Sequence, residues 1–168
     1  MVSNPHPDVN FRSISIAVVT VSDTRTEETD RSGRAISQLV EAAGHQVKHY
    51  SIIKDEPTQI EAKLLDLCAL DDLEALIFNG GTGIAPRDTT YDAIASLLNK
   101  TLPGFGEIFR FLSYQEIGSR AIASRAVAGI YAQKLVFSLP GSTNAVKLAL
   151  SKLILPELIH LVGQLKGP

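Results

Sequence analysis

Leu76–Ile94, LIFNGGTGIAPRDTTYDAI, is the stretch whose reading decides how this chain folds. Its apolar start, Leu76–Phe78, reads as part of a short strand at Ala75–Phe78. Glycines follow at Gly80, Gly81 and Gly83, then a Pro86–Arg87–Asp88 step, then a helix predicted over about Thr90–Leu98. A strand, a glycine turn and a helix form the repeating unit of an α/β sheet. Glycine costs conformational entropy, so such a cluster serves geometry: the backbone must approach something closely. Two readings stand side by side. The loop presents backbone N–H groups to a phosphate, or it is a strand-end turn shaped by sterics alone. It has no Gly-Lys-Ser/Thr ending, so it is not a P-loop.

Outward from this unit the same alternation continues. Ile14–Val21, ISIAVVTV, is a nearly unbroken β-branched run, as expected of a strand buried on both faces. The polar loop SDTRTEETDRSG follows it, and this loop lacks the Gly-x-Gly-x-x-Gly dinucleotide fingerprint. A helix is predicted over Ser32–Ala43, with Ile36, Leu39, Val40 and Ala43 on one face and Gly44 at its end. Gln46–Ile53 reads as a strand, and Pro57–Leu67 as a helix facing inward through Ile60, Leu64 and Leu67. Downstream, a helix over Gly104–Tyr114 carries Phe105, Ile108, Phe109 and Leu112 on one stripe, with Phe111 off it. Two strands, Val127–Tyr131 and Lys134–Ser138, share a tight link. The C-terminus is helical from Thr143, bent near Pro156 and finished by Leu165. The pattern predicts an α/β fold with a mostly parallel sheet and helices on both faces. Residues 13–168 form one domain in this reading, after a polar, flexible tail over 1–12.

The totals narrow the function classes. The 168 residues carry a net charge of −2 with no basic tract, which argues against nucleic acid. One cysteine, Cys68, allows no intrachain disulfide and fits a reducing compartment. No apolar run is long enough to span a bilayer, and MVSNPHPDVNFRS has no signal pattern, so the expectation is cytoplasmic, with no membrane partner. Cys68 is expected as a small buried residue. The histidines have no metal-ligand spacing, and His45, after Gly44, is expected at the end of a helix.

In open α/β sheets, ligands bind beyond the carboxyl ends of the strands. Ser22 and Asp23 follow the first strand, Asp55 the second, Gly80–Gly83 the third, and Pro140, Gly141 and Ser142 the last. Four loops therefore converge on one edge. Asp55 and Asp88 would repel a phosphate there unless a divalent cation lay between, and Mg²⁺ binds through one or two carboxylates plus substrate phosphates. The alternative is that Asp88 caps the helix after it and Asp55 is a turn residue. Arg87 pairs either with an anion or with a carboxylate. Arg120 and Arg125 reach either a phosphate or a subunit boundary.

Seven motifs stand here in the order and spacing of one family: VSDTR, D-R-S-G, AGH, KDE, GGTGIAPRDTT, LPGFGEIFRFLSYQEIGSRAIASRAVAG and LPGST-A. Over Ile14–Pro156 the sequence resembles the molybdenum-cofactor biosynthesis proteins of the MoaB/MogA type, and Leu102–Gly129 looks more like the MoaB branch. The resemblance implies a three-layer α/β/α molybdopterin-binding domain. It implies AMP transfer from Mg-ATP to the terminal phosphate of molybdopterin, assembly as a homotrimer or hexamer, and a possible molybdotransferase partner. Carried over by motif, Asp55 and Asp88 are the catalytic and Mg²⁺-holding aspartates. Ser22, Asp23, Gly80, Gly81, Thr82, Gly83, Pro140, Gly141 and Ser142 bind substrate, and Arg87 is placed with them. The sequence departs from the family at Thr90–Tyr91–Asp92, where Thr-Pro-Glu is common, and at Thr143, where many members have proline. Two other classes stay open: a non-catalytic molybdopterin carrier, and an unrelated nucleotide-binding domain.

Overall fold

In a computed structural model, which describes residues 10–167, the run after Ile14 forms β1, Ser15–Val21, with six of its seven residues buried. An unbroken apolar run needs neighbours on every side, and β1 has them. It pairs in parallel with β2, Gln46–Ile53, and with β3, Ala75–Asn79. The helices between these strands are α1, Arg31–Ala42, and α2, Pro57–Cys68. After β3 come α3, Thr90–Leu97; β4, Lys100–Thr101; and α4, Pro103–Ile117. A 3₁₀ segment, Gly118–Ala123, leads to β5, Val127–Tyr131, and β6, Lys134–Leu139. The chain finishes with α5, Thr143–Ala149, a π turn at Leu150–Ile154, and α6, Leu155–Lys166.

The sheet order is β2-β1-β3-β6-β5-β4. The first four of these run parallel, while β5 and β4 are antiparallel to their neighbours. Register sets the carboxyl ends level: Val21 lies beside Ile53, Thr20 beside Asn79, and Asn79 beside Leu139. Alternate residues feed two apolar layers. Ile16, Val18, Ile77 and Phe137 pack with residues of α1, α4, α5 and α6, while Ala17, Val19, Leu76 and Phe78 pack with residues of α2 and α3. This is the expected three-layer α/β/α fold.

Some expectations change. β4 is a pair of exposed polar residues with no apolar signal, so only its pairing with β5 reveals it. Ile108, expected on the buried stripe of α4, is 50% exposed, whereas Phe109 is fully buried. At the C-terminus, where a break or bend near Pro156 is expected, a π turn at Leu150–Ile154 shifts the hydrogen-bond ladder just before the proline, which falls in the first turn of α6. The link between β5 and β6 is a two-residue turn, Ala132–Gln133, both at positive φ (47° and 59°), which matches the twist of a hairpin.

Of the expected tail, residues 1–9 lie outside the described residues. Phe11 stacks on His45 at 5.7 Å, and Arg12 donates to Glu74 at 2.7 Å, where Lys166 also bonds at 2.6 Å. His45 is buried; its main-chain N–H closes α1 on Val40 O, and its Nδ1 accepts from Ile14 N–H at 3.2 Å. Cys68 is buried as expected, and burial pushes its thiol up to about 11. Among the described residues no helix is long and apolar enough to cross a membrane.

Phe109 stacks on Phe105 at 6.3 Å inside the first layer. Phe109→Ala should remove about 3–5 kcal/mol of stability, read as a lower urea midpoint with an unchanged slope.

Candidate functional site

The loops at the level strand ends rest on a buried polar floor. Asp30, at the start of α1, accepts from Gly33 N–H at 3.0 Å, Thr20 Oγ1 at 2.6 Å and Tyr50 Oη at 2.6 Å. Ser32 Oγ donates to Asn79 Oδ1 at 2.7 Å, and Asn79 Nδ2 donates to Thr20 Oγ1 at 3.0 Å. Thr20, Asp30, Ser32 and Asn79 are all at most 1% exposed. Burial alone would raise the Asp30 carboxyl, but the donors from Thr20, Tyr50, Gly33 and Ser32 outweigh it and hold it below the ordinary range. Arg25 fastens the floor to the last loop. It donates to Ser32 Oγ, to Asp30 Oδ1 at 3.5 Å and to the Gly141 carbonyl at 2.9 Å.

The glycine loop stands on this floor. Gly80 has φ +103° and donates to Leu139 O at 2.9 Å; a Cβ there would run into the Val21 carbonyl. Gly81 has φ +64°, and the space its side chain would fill is taken by Asp55 Oδ2 and Thr90 Oγ1. The first thing this backbone approaches closely is therefore the protein itself. Arg125 holds the outer part of the loop. It donates to Thr82 O at 3.1 Å and Gly83 O at 2.9 Å, pairs with Asp92 through two 3.0 Å bonds, and lies 4.7 Å over the Tyr91 ring. The N–H groups of Gly81, Thr82 and Gly83 donate to no acceptor among the described residues, which leaves them for an anion.

The two aspartates divide their tasks. Asp55 Oδ1 accepts from Thr89 N–H at 3.1 Å, Thr89 Oγ1 at 2.6 Å and Thr90 Oγ1 at 3.3 Å. It is thus Asp55, from another loop, that bonds the N-terminus of α3. Asp88, expected as the alternative cap, makes no such bond, and its carboxylate meets no hydrogen-bond donor among the described residues. Arg87 clasps Asp23 at 2.8 and 3.0 Å and Glu56 at 2.6 Å, so of its two readings the ion pair is the one present. Arg87 in turn holds the Asp23 carboxyl below its usual range, and Asp23 Oδ1 also accepts from Asp55 N–H at 3.2 Å.

These loops enclose a cleft of about 610 Å³. Ser22, Asp23, Asp55, Gly80, Gly81, Thr82, Gly83, Arg87, Asp88, Pro140, Gly141 and Ser142 all line it. So does Arg120, expected to reach either a phosphate or a subunit boundary, and so do Arg25, Ser113, Glu116, Ser124 and Asn144, to which the sequence assigns no site role. Arg25 belongs to the same VSDTR run as Ser22 and Asp23, and that run was the available signal. Ser113, Glu116, Arg120 and Ser124 lie within the long Leu102–Gly129 motif, which marks the segment but not these side chains, and Asn144 comes from α5.

Among the described residues no three His, Cys, Asp or Glu side chains come together to hold a metal. An all-protein cage is therefore absent from them. The donor set suits a cation that arrives on phosphates: Asp88 is free of donors, and Asp55 Oδ2 carries none of the three bonds made to Oδ1.

The comparisons agree with this fold. Residues 17–160 match the family model described as "Probable molybdopterin binding domain". The chain is 52% identical over 155 residues to molybdenum cofactor biosynthesis protein B of Halalkalibacterium halodurans, covering 92% of this chain and 91% of that protein. A crystal structure of a molybdenum cofactor biosynthesis protein B matches with a TM-score of 0.91 at 47% identity, covering 94% of this chain and 98% of that one. The tungsten cofactor synthesizing protein MoaB of Pyrococcus furiosus matches with a TM-score of 0.80 at 36% identity, over 90% and 96% of the two chains. The chain belongs to the molybdenum-cofactor biosynthesis proteins of the MoaB/MogA family, on the MoaB side.

Asp30→Asn should cost about 3 kcal/mol at neutral pH, because it weakens charge-assisted bonds inside the floor. The folded-state shift is downward, so the ionised carboxylate contributes fully above its unfolded value of 3.8, and this contribution is lost as pH falls through the lower folded value. Urea midpoints of wild type and variant should be well separated at pH 6 and converge as the pH drops below 3.8.

Proposed function

We propose that the cleft binds molybdopterin and adenylylates its terminal phosphate with Mg-ATP. The observation that carries this reading is the donor-free Asp88 carboxylate, close to Gly83 and in one cleft with the unpaired N–H groups of the glycine loop and with Asp55. Family membership supplies the ligand class. In the reaction, an oxygen of the molybdopterin phosphate attacks the α-phosphorus of ATP. A new P–O–P link forms, the bond to the β-phosphate oxygen breaks, and pyrophosphate leaves with that electron pair. Such transfers need positioning and charge neutralisation more than a protein nucleophile. Asp55 and Asp88 would hold Mg²⁺, which supplies charge neutralisation on the ATP phosphates. The N–H groups of Gly81–Gly83 hold anionic oxygens. Ser22, Asp23 and the Pro140–Ser142 loop shape the pocket, and Arg87 keeps Asp23 and Glu56 drawn together at its rim.

Turnover of molybdopterin and Mg-ATP, followed by chromatography, tests this. Wild type should form adenylylated molybdopterin, and Asp88→Asn should reduce the rate by about a hundredfold or more with an unchanged melting temperature. Molybdopterin retained by wild type with no product would replace the transferase with a carrier of the same pathway.

The assembly is read from α4. Ile108, Phe111, Tyr114 and Ile117 form an exposed stripe at three-residue spacing, and Ile122 beyond it is 86% exposed. Apolar surface of this extent marks a protein contact. A homotrimer, or two paired into a hexamer, covers it. Light scattering at micromolar protein should give at least three times the 18.1 kDa chain mass; a monomer mass would sink the assembly. The single cysteine, which fits a reducing compartment, keeps the reading cytoplasmic.

A further inference from the structure

Three guanidiniums line the cleft, and two are committed. Arg25 is tied to Asp30, Ser32 and the Gly141 carbonyl, and Arg87 to Asp23 and Glu56. The third, Arg120, is exposed in the 3₁₀ segment after α4 and has neither a hydrogen-bond nor an ion-pair partner among the described residues. It is contributed by a different part of the chain from Asp55 and Asp88, which sit in the loops after β2 and β3. Ser113, Ser124 and Asn144, also in the cleft, add neutral polar groups from the same region and from α5. Glu116 is the one carboxylate of α4 that shares the cleft, and it is not paired with Arg120.

This distribution has a chemical consequence. A phosphate that brings its own cation is accommodated by the aspartates. A phosphate without one finds a single uncommitted positive side chain in the cleft. We propose that Arg120 is an anion-binding residue that clamps the cation-free phosphate of the acceptor substrate, apart from the metal-borne phosphates of the nucleotide. A guanidinium suits this task because its planar fork meets two phosphate oxygens at once. The inference deepens the adenylyltransferase reading and rests on it for the identity of the acceptor. The anion site itself rests only on the cleft.

The test compares wild type, Arg120→Ala and Arg120→Lys by titration calorimetry with three probes: molybdopterin, inorganic phosphate and Mg-ATP. Arg120→Ala should weaken molybdopterin and inorganic phosphate by about tenfold or more, the loss of a charge-assisted bond. It should change Mg-ATP by less than twofold and leave the melting temperature of the unliganded protein unchanged. Arg120→Lys should recover part of the affinity, with the stronger salt dependence of a point charge. Unchanged phosphate and molybdopterin affinities in Arg120→Ala would overturn the proposal. So would a loss confined to Mg-ATP, or a wild type that binds neither anion. A wild type that binds inorganic phosphate through Arg120 but not molybdopterin would uphold the anion site and sink the molybdopterin reading instead.

Discussion

Asp55 occupies the space that a side chain at residue 81 would need. That one steric fact organises the cleft. It forces glycine at position 81, and with it the left-handed backbone that turns the chain out of β3. It also places a carboxylate where Thr89 and Thr90 can bond it, so the start of α3 is held by a group from the loop after β2. Asp23 accepts from the Asp55 main chain, and Arg87 closes over Asp23 and Glu56. Loops from three strands thus become one unit, and a site whose supports are locked in this way is already shaped before a ligand arrives.

The polar floor serves the same end at greater depth. Four buried polar side chains, two on strands and two at the start of α1, would be costly if any lacked a partner. Thr20, Asp30, Ser32 and Asn79 bond one another instead, with Tyr50 and Arg25 completing the set. A fully satisfied network of this kind specifies one arrangement rather than many. Through Arg25 it also reaches the Pro140–Ser142 loop, so the position of the last loop is read from the position of the first helix.

Much of this was legible from residues alone. The apolar run at Ile14–Val21 required a doubly covered strand, and β1 lies between β2 and β3. The glycine and aspartate positions at the strand ends pointed to one edge, and they do line one cleft. What stayed hidden had no local pattern: β4 has two exposed residues, Ile108 falls on one predicted stripe with buried Phe109, and nothing in the sequence chooses between a phosphate and a subunit boundary for Arg120.

The sequence by itself determined the order of the helices and of every strand but β4, because hydrophobic period and glycine placement act over a few residues. It also determined which loops meet at one cleft, since the strand ends follow from that order. Only the tertiary structure decided what each polar group does. Asp55 meets Thr89 across 34 residues, Arg87 meets Asp23 across 64, and Arg25 meets Gly141 across 116. Pairings at that separation depend on sheet order and loop path, and no local pattern encodes them. For that reason Arg87 and Arg25 have partners, the Asp88 carboxylate and Arg120 have no hydrogen-bond or ion-pair partner among the described residues, and the difference between the two sets appears only in three dimensions.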